Sequence, residues 1–476
     1  MQLKYDVIIV GMGPSSIFCA YELIQLKKYK KVLLIDQGKR VEERNCPIEK
    51  TKKCIHCKPM CNITNGFSGA GAFSDGKLSL YNSQDDDIHV GGILHKYIGV
   101  PKTKALIDYA DKIYLGFGAD KKLEGVEYKE EIAKISKRAE KDGIKLINIP
   151  IRHLGTEKSH EVYGRLEKYI EDNGIEMLFG TTVSDLIVEE GEIKGVKIKE
   201  SKYIDDEEYP LDTVYSDKVV LAVGRKGANW LVEMCNKYNI NTDTGIVDIG
   251  VRYELPDEIM KDVNKYMYEA KFVGRVGPFR DKVRTFCQNP SGFVSAEVYD
   301  NNLTLVNGHS YKERKSTNTN LAILVSHHFT HPFDKPIGYG RNVAQNLNDL
   351  GAGNIVVQRL GDIYRGKRTW DYELERNSVE PTLKSAVAGD ITFALGYRTM
   401  VSILEFIRAI DKVVEGFGNP DNLLYAPEIK FYSNKVIINE QFETNIKGLY
   451  SIGDGGGMTR GLMMASCSGI QMARNL

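Results

Sequence analysis

Residues Tyr5–Asp36 read YDVIIVGMGPSSIFCAYELIQLKKYKKVLLID. Tyr5 to Val10 is a short run rich in Val and Ile, the pattern of a buried strand. It stops at a turn, Gly11-Met12-Gly13-Pro14-Ser15-Ser16. Ile17, Ala20, Tyr21 and Ile24 then recur at helical spacing. A second apolar run, Val32 to Ile35, ends on Asp36. Strand, glycine turn, helix, strand and acid follow in the order of a dinucleotide-binding unit. Gly11 permits the tight turn, and Gly13 lets the backbone approach a pyrophosphate. The helix start offers unpaired N–H groups and a partial positive charge to that phosphate. Pro14 suits the first helical position, where a missing donor costs nothing. Ser16 replaces the third glycine and is still small enough for close helix–strand packing. Asp36, 23 residues after Gly13, is placed to accept hydrogen bonds from adenosine ribose hydroxyls.

Outward from this stretch, the chain of 476 residues is too long for one core, so two or three domains are expected. Lys plus Arg equals Asp plus Glu at 64 each, which counts against a general nucleic-acid or anionic-membrane surface. No apolar run is long enough to span a bilayer, and the first is broken by Gly11, Gly13 and Pro14. A cytoplasmic protein without membrane or nucleic-acid partners is the expectation. Cys46, Cys54, Cys57 and Cys61 cluster, with Lys52, Lys53 and Lys58 nearby. In a reducing compartment four thiolates suit a zinc ion or an iron–sulfur cluster. A close pair such as Cys54/Cys57 instead suits dithiol–disulfide cycling. A loop that is merely packed is the third reading.

Next comes Gly66 to Leu78, GFSGAGAFSDGKL, whose small residues suit a loop packed tightly against a flat ligand. Residues 85–150 read as mostly helical and polar. A helix with Val162, Leu166 and Ile170 on one face ends at Gly174. An antiparallel meander follows, and Lys218 to Val223 is a buried strand running into Gly224. In the block 245–430, strands are expected near Val247, Arg284, Gly292 and Leu303, and helices at 341–350 and 398–413. His309, His327, His328 and His331 lie there; no carboxylate pattern accompanies them, so packing or substrate contact outweighs metal. At the end, Leu449 to Ile452 is a strand running into Gly453-Asp454, and a helix begins at Gly461. A carboxylate there can accept from a ribitol chain, and the helix start can face a ring that becomes anionic on reduction.

Gly11/Gly13/Asp36, Ala222-Val223-Gly224 and Gly453-Asp454 resemble the three cofactor motifs of two-dinucleotide-binding FAD flavoproteins. The resemblance covers the first 80 residues, about 155–230 and the last 35. More narrowly, the chain resembles bacterial FAD-dependent dehydrogenases with a cysteine segment followed by GAGAFSDGKL, sharing stretches such as RTFCQNPSGFV and GDGGGMTRGLMMAS. It is more distantly similar to the geranylgeranyl-reductase type. In the cysteine-segment dehydrogenase family a second cysteine commonly stands where Asn289 follows Cys287-Gln288, so a dithiol there is absent from this chain.

The fold expected is α/β, a Rossmann-like FAD-binding domain assembled from discontinuous segments plus a mixed α+β substrate domain. The segments are 1–100, 155–244 and 431–476 for the first domain, 101–154 as a helical insertion or cover, and 245–430 for the second. Besides the turn and Asp36, cofactor contacts are expected at Gln37, Arg44, Gly71, Phe73, Ser74, Gly76, Lys77, Leu78 and Val183. Ala222, Gly224, Gly453, Asp454, Gly461, Leu462 and Met463 complete the set. Lys77, beside the flavin ring or on a phosphate, and Arg460, at an anionic substrate or the flavin edge, are the candidate catalytic residues. Arg284, Arg359 and Arg398 are weaker ones. A dehydrogenase or reductase of a small organic molecule is the leading function, with NAD(P)H as a transient donor. A flavin electron carrier or thiol redox sensor, and an RNA-modifying flavoprotein, are the alternatives.

Overall fold

A computed structural model describes residues 3–47, 57–69, 76–81, 91–203, 206, 210–243, 246–267, 269–298, 303–309, 314–329, 332, 335–431 and 435–476. The chain divides into two compact units. The first comprises Met1–Leu123, Pro150–Asp243 and Ser433–Leu476, and the second Glu124–Ile149 and Thr244–Tyr432. Segment 101–154, expected as one helical cover, is therefore split. Residues 124–149 join the second unit, where Ile144–Asn148 is an edge strand of the sheet paired with Ala270–Gly274, and 150–154 return to the first.

In the first unit the elements that matter are β1 (Val7–Val10), α1 (Pro14–Leu26), β2 (Val32–Ile35), α2 (Val100–Gly116), α3 (Gly155–Asp172), β3 (Glu176–Leu178), β4 (Thr181–Glu189), β5 (Glu192–Glu200), β6 (Asp212–Tyr215), β7 (Val219–Leu221), β8 (Leu449–Ser451) and α4 (Leu462–Asn475). Among the described residues, five strands form a parallel sheet in the order β8-β7-β1-β2-β3. The order reverses at β1: the chain builds outward through β2 and β3, then returns to place β7 and β8 on the other side. In open α/β sheets such a switch point opens a crevice at the strands' carboxyl ends.

Both sheet faces are covered, which is why the central strands β1, β2 and β7 are apolar throughout rather than alternating. On one face Ile8, Val10, Leu33, Ile35, Val219 and Leu221 share a core with Val183, Leu186 and Val196 of the β4–β6 meander. The other face carries helices. A buried hydroxyl chain joins three of them: Tyr114 of α2 bonds Tyr163 of α3 at 2.8 Å and Ser466 of α4 at 2.9 Å. α1 and α4 cross where a Cβ on Gly469 would stand 1.9 Å from the Ser15 carbonyl oxygen. A side chain there must push the helices apart. Gly469→Leu is expected to cost about 3 kcal/mol of stability, read as a lower urea midpoint at unchanged slope.

In the second unit an eight-stranded sheet runs Val387–Ala388, Val356–Arg359, Leu423–Phe431, Val247–Pro256, Asn318–His327, Val283–Asn289, Ala270–Gly274 and Ile144–Asn148, among the described residues. One face packs Val247, Ile249, Val251, Leu321, Ile323 and Val325 against the helices Pro336–Leu350 and Tyr397–Asp411, through residues such as Leu347 and Phe406.

Candidate dinucleotide-binding site

Register sets the geometry of the crevice. Val10 pairs with Ile35 and with Leu221, and Leu221 pairs with Ser451. The turns that follow β1, β7 and β8 therefore leave the sheet at one level, although 200 residues and more separate them in sequence. They touch. Gly11 has φ +99°, and a Cβ on it would lie 2.4 Å from the Ala222 carbonyl oxygen. A Cβ on Gly455 would lie 2.6 Å from the Gly224 oxygen, and one on Gly453 2.7 Å from Ser15 Oγ. The glycines fix this convergence because only bare backbone passes so close.

Gly13 is different. Its backbone is extended (φ −77°, ψ 179°), and a Cβ on it would meet nothing within 4 Å. α1 starts directly after it, with Pro14 in its first turn and no side-chain cap. The first backbone bond of the helix runs from Ile17 N–H to the Gly13 oxygen, so the N–H groups of Ser15 and Ser16 precede the intrahelical ladder. Ser16 Oγ is buried without a hydrogen-bond partner among the described residues. α4 starts the same way: Gly461 (φ +88°) precedes it without a side-chain cap, and Leu462 and Met463 occupy its first turn. Two uncapped helix starts thus belong to the same unit, and each is a ready anion site.

Asp36 accepts from Met12 N–H (2.9 Å), Gly38 N–H (2.7 Å) and Gly66 N–H (2.8 Å). Burial pushes its carboxyl up, against the opposing pull of those amides and of Arg44. Three bonds leave lone-pair capacity on a carboxylate, so a ribose hydroxyl can still be accepted. Next to it, Gly180 N–H reaches the Gly38 oxygen (2.8 Å) and Thr181 N–H the Asp36 oxygen (3.0 Å), which zips the start of β4 to the end of β2. A cleft of about 1000 Å³ opens there, lined by Gln37, Lys39, Cys46, Cys57, Asn62, Gly180 and Lys202 among others. Val183 buries its side chain in the core, so only its backbone is available to a ligand.

The expectation for Arg44 is corrected. Its side chain donates to the backbone oxygens of Asn62, Ile63, Phe67 and Gly69 and to Ser68 Oγ. All five N–H groups are spent on this loop. Burial pulls the guanidinium down to about 10. The loop so held lies against the glycine turn: Ser68 N–H donates to the Met12 oxygen at 2.9 Å, and a Cβ on Gly69 would be 3.3 Å from Gly13 Cα. Arg44 is a positioning residue for that loop.

At the far side, Asp454 accepts from Thr459 Oγ1 (2.8 Å), and Arg225 Nε stands 4.0 Å from its Oδ2. Burial raises the Asp454 carboxyl. Arg460 is exposed, and its backbone runs beside a strip the sequence did not single out. Gly92 bridges Thr459, and Ile93 N–H donates to the Met458 oxygen at 2.8 Å. The Gly91-Gly92 pair was the available signal, because a Cβ on Gly91 would stand 2.3 Å from the Arg460 oxygen. Lys77 and Leu78 lie on a short strand, Lys77–Ser79, paired with Ile151–His153, and Gly76 packs on Ser159. Gly71, Phe73, Ser74, Cys54 and His331 lie outside the described residues.

Cys46, Cys57 and Cys61 are free thiols, and among the described residues no three His, Cys, Asp or Glu side chains converge on a metal position. The four-thiolate reading thus includes a residue, Cys54, that the structure does not describe. Among the histidines, His327 is half-buried against Thr399 Oγ1 at 3.2 Å, and burial lowers its pKa. A neutral ring is what the fold holds. Its contribution is present above the unfolded imidazole value of about 6.5 and lost as pH falls through the lower folded value. His327→Gln is expected to flatten the acid limb of the second unit's stability curve, followed by denaturant midpoints against pH. The weaker arginine candidates are paired: Arg284 to Asp248 and Arg359 to Asp421, both at 2.7 Å, and Arg398 to Asp281 at 2.6 Å.

No helix of the described residues is long and apolar enough to cross a membrane. Residues 248–430 match the family described as FAD-dependent protein, C-terminal domain-like. An uncharacterized protein of Clostridium beijerinckii is 24% identical over 503 residues, covering 100% of this chain and 81% of that one. Among solved structures, L-proline dehydrogenase from P. horikoshii covers 100% of this chain and 93% of its own at 13% identity and TM-score 0.41. Pyridoxine 4-oxidase from Mesorbium loti covers 99% and 98% at 9% identity and TM-score 0.42. Scores this low say nothing about substrate. The family match lies on the second unit, and the first has the glycine-turn and parallel-sheet architecture of a dinucleotide-binding domain.

Proposed function

We propose that the crevice at the carboxyl ends of β1, β2, β7 and β8 holds FAD, and that the enzyme moves a hydride between that flavin and a small organic molecule. The observation that carries this reading is the convergence of the Gly11–Ser16, Ala222–Gly224 and Gly453–Asp454 turns. Open space at Gly13 beside uncapped helix starts fits a pyrophosphate. Asp36 fits the adenosine ribose, the cleft past Gln37 the adenine, Asp454 the ribitol chain, and the N–H groups of Leu462 and Met463 the ring edge that gains charge. Bound there, FAD supplies the hydride chemistry.

The chain's own residues position and shield. The loop held by Arg44 covers the glycine turn, and Gly91–Ile93 lies along Met458–Arg460, beside the α4 start. Arg460 serves as a cation for an acidic group of the substrate or for the flavin edge, and Lys77 stands beside the flavin ring or on a phosphate. Anaerobic mixing of the flavin-loaded protein with a panel of small amines, hydroxy acids and carboxylic acids tests the enzyme reading. Bleaching of the flavin's visible band by a panel member is expected. A flavin that neither any panel compound nor NAD(P)H reduces, but that chemical reductants do, would instead favour an electron carrier.

A further inference from the structure

The hydroxyl chain that ties α2, α3 and α4 together has a direction. Ser466 Oγ donates to the Leu462 oxygen at 2.9 Å. A serine hydroxyl has one proton, so towards Tyr114 it accepts, and the Tyr114 proton points at Ser466 over 2.9 Å. Tyr114 in turn accepts from Tyr163 at 2.8 Å. In this sense all three protons are used. Run the other way, the Tyr163 proton would have no acceptor among the described residues. Tyr114, Tyr163 and Ser466 are each 0% exposed. Burial holds both phenols well above their ordinary value, so the chain carries polarisation and no charge.

The end of the chain lies at the start of α4. The first backbone bond of that helix runs from Ala465 N–H to the Gly461 oxygen, so the N–H groups of Leu462, Met463 and Met464 precede the intrahelical ladder. The Leu462 carbonyl and the Met463 N–H are two ends of one peptide unit, coupled by resonance. A hydrogen bond drawn on that oxygen pulls electron density from the nitrogen and makes the N–H a better donor. Three hydroxyls in series do this more than one alone, since each bond in a chain strengthens the next by about 10–30%. Ser468 supplies the contrast. Its Oγ, equally buried, donates to the Ala465 oxygen at 2.7 Å. The N–H of that peptide unit belongs to Ser466, which lies beyond the first turn and inside the ladder.

We propose that Tyr163, Tyr114 and Ser466 are positioning residues that raise the reduction potential of bound FAD, by strengthening the Met463 N–H as a donor to the ring edge. The inference rests on the placement of FAD proposed above, with Met463 at the edge that gains negative charge on reduction. A stronger donor there favours the reduced ring over the oxidised one. Fully buried, the three hydroxyls touch neither cofactor nor substrate.

Reduction of the FAD-loaded full-length protein against a dye of known potential tests it. At a fixed potential, Ser466→Ala should lower the ratio of reduced to oxidised FAD about threefold, which is about 14 mV for a two-electron couple. Tyr114→Phe and Tyr163→Phe should move it the same way, by less at each step away from Leu462. Ser468→Ala, which removes a hydroxyl bond from the same helix but from the wrong carbonyl, should leave it unchanged. A merely structural role would lower the urea midpoints of these variants and leave the potential of the folded, loaded protein alone. Where Ser466→Ala fails to fold, the two tyrosine variants decide. FAD-loaded variants at the wild-type potential overturn the proposal, and so does a Ser468→Ala shift as large as that of Ser466→Ala. Protein that binds no FAD overturns the flavin reading and this one with it, whereas bound FAD at an unmoved potential overturns this one alone.

Discussion

Gly13→Val is expected to give a folded protein that has lost FAD. At Gly13 a Cβ meets nothing within 4 Å, and the extended backbone (φ −77°) is one any residue adopts. The fold therefore has no need of glycine there. The space beside Gly13, between the α1 start and the Gly69 backbone, is where a pyrophosphate would sit, and valine fills it. Excluding the phosphates from a helix start forfeits several charge-assisted bonds, each worth about 1.5–3 kcal/mol. A loss of FAD affinity of at least about 100-fold follows from two such bonds. Fluorescence titration of the apoprotein with FAD measures it, and a denaturant midpoint near wild type shows that the fold is kept. A variant that retains stoichiometric FAD contradicts the placement of the phosphates.

The second large effect falls on a residue that touches no ligand in this account. Arg44→Met removes a buried cation whose five donors hold the oxygens of Asn62, Ile63, Phe67, Ser68 and Gly69. Four are backbone carbonyls with no substitute donor in an apolar replacement, and each orphaned one costs about 1–3 kcal/mol. Relaxation of the loop toward water recovers part of that, leaving a net loss of about 3 kcal/mol or more. The loop also supplies the Gly66 amide to Asp36 and covers the glycine turn through Ser68. Arg44→Met should thus lose stability and FAD together, whereas Gly13→Val loses FAD alone. Limited proteolysis within 61–69 gives a second readout: faster cleavage in Arg44→Met and an unchanged rate in Gly13→Val.

That contrast also shows which parts of the site the sequence could reveal. The glycine turn, Asp36 and the last helix were legible because each is local: a strand, a turn and a helix start within a few residues carry their own pattern. The convergence of Ala222–Gly224 and Gly453 on that turn was legible only through family resemblance, because strand register across hundreds of residues leaves no periodic trace. Arg44 was misread for a physical reason. A cation soon after β2 looks alike in sequence whether its donors meet phosphate or carbonyls, and only the folded loop decides. The strip at Gly91–Ile93 went unnoticed because its partner, Met458–Arg460, lies at the other end of the chain.

The most direct test of the central claim is the cofactor content of the purified protein: its absorption spectrum, followed by release and chromatographic identification of the bound flavin against protein concentration. The account predicts FAD at one per chain, or apoprotein that takes up one FAD and not FMN, since the proposed pose places only the adenosine half at Asp36 and in the cleft past Gln37. Protein that neither carries nor takes up FAD, or that holds FMN equally well, contradicts it.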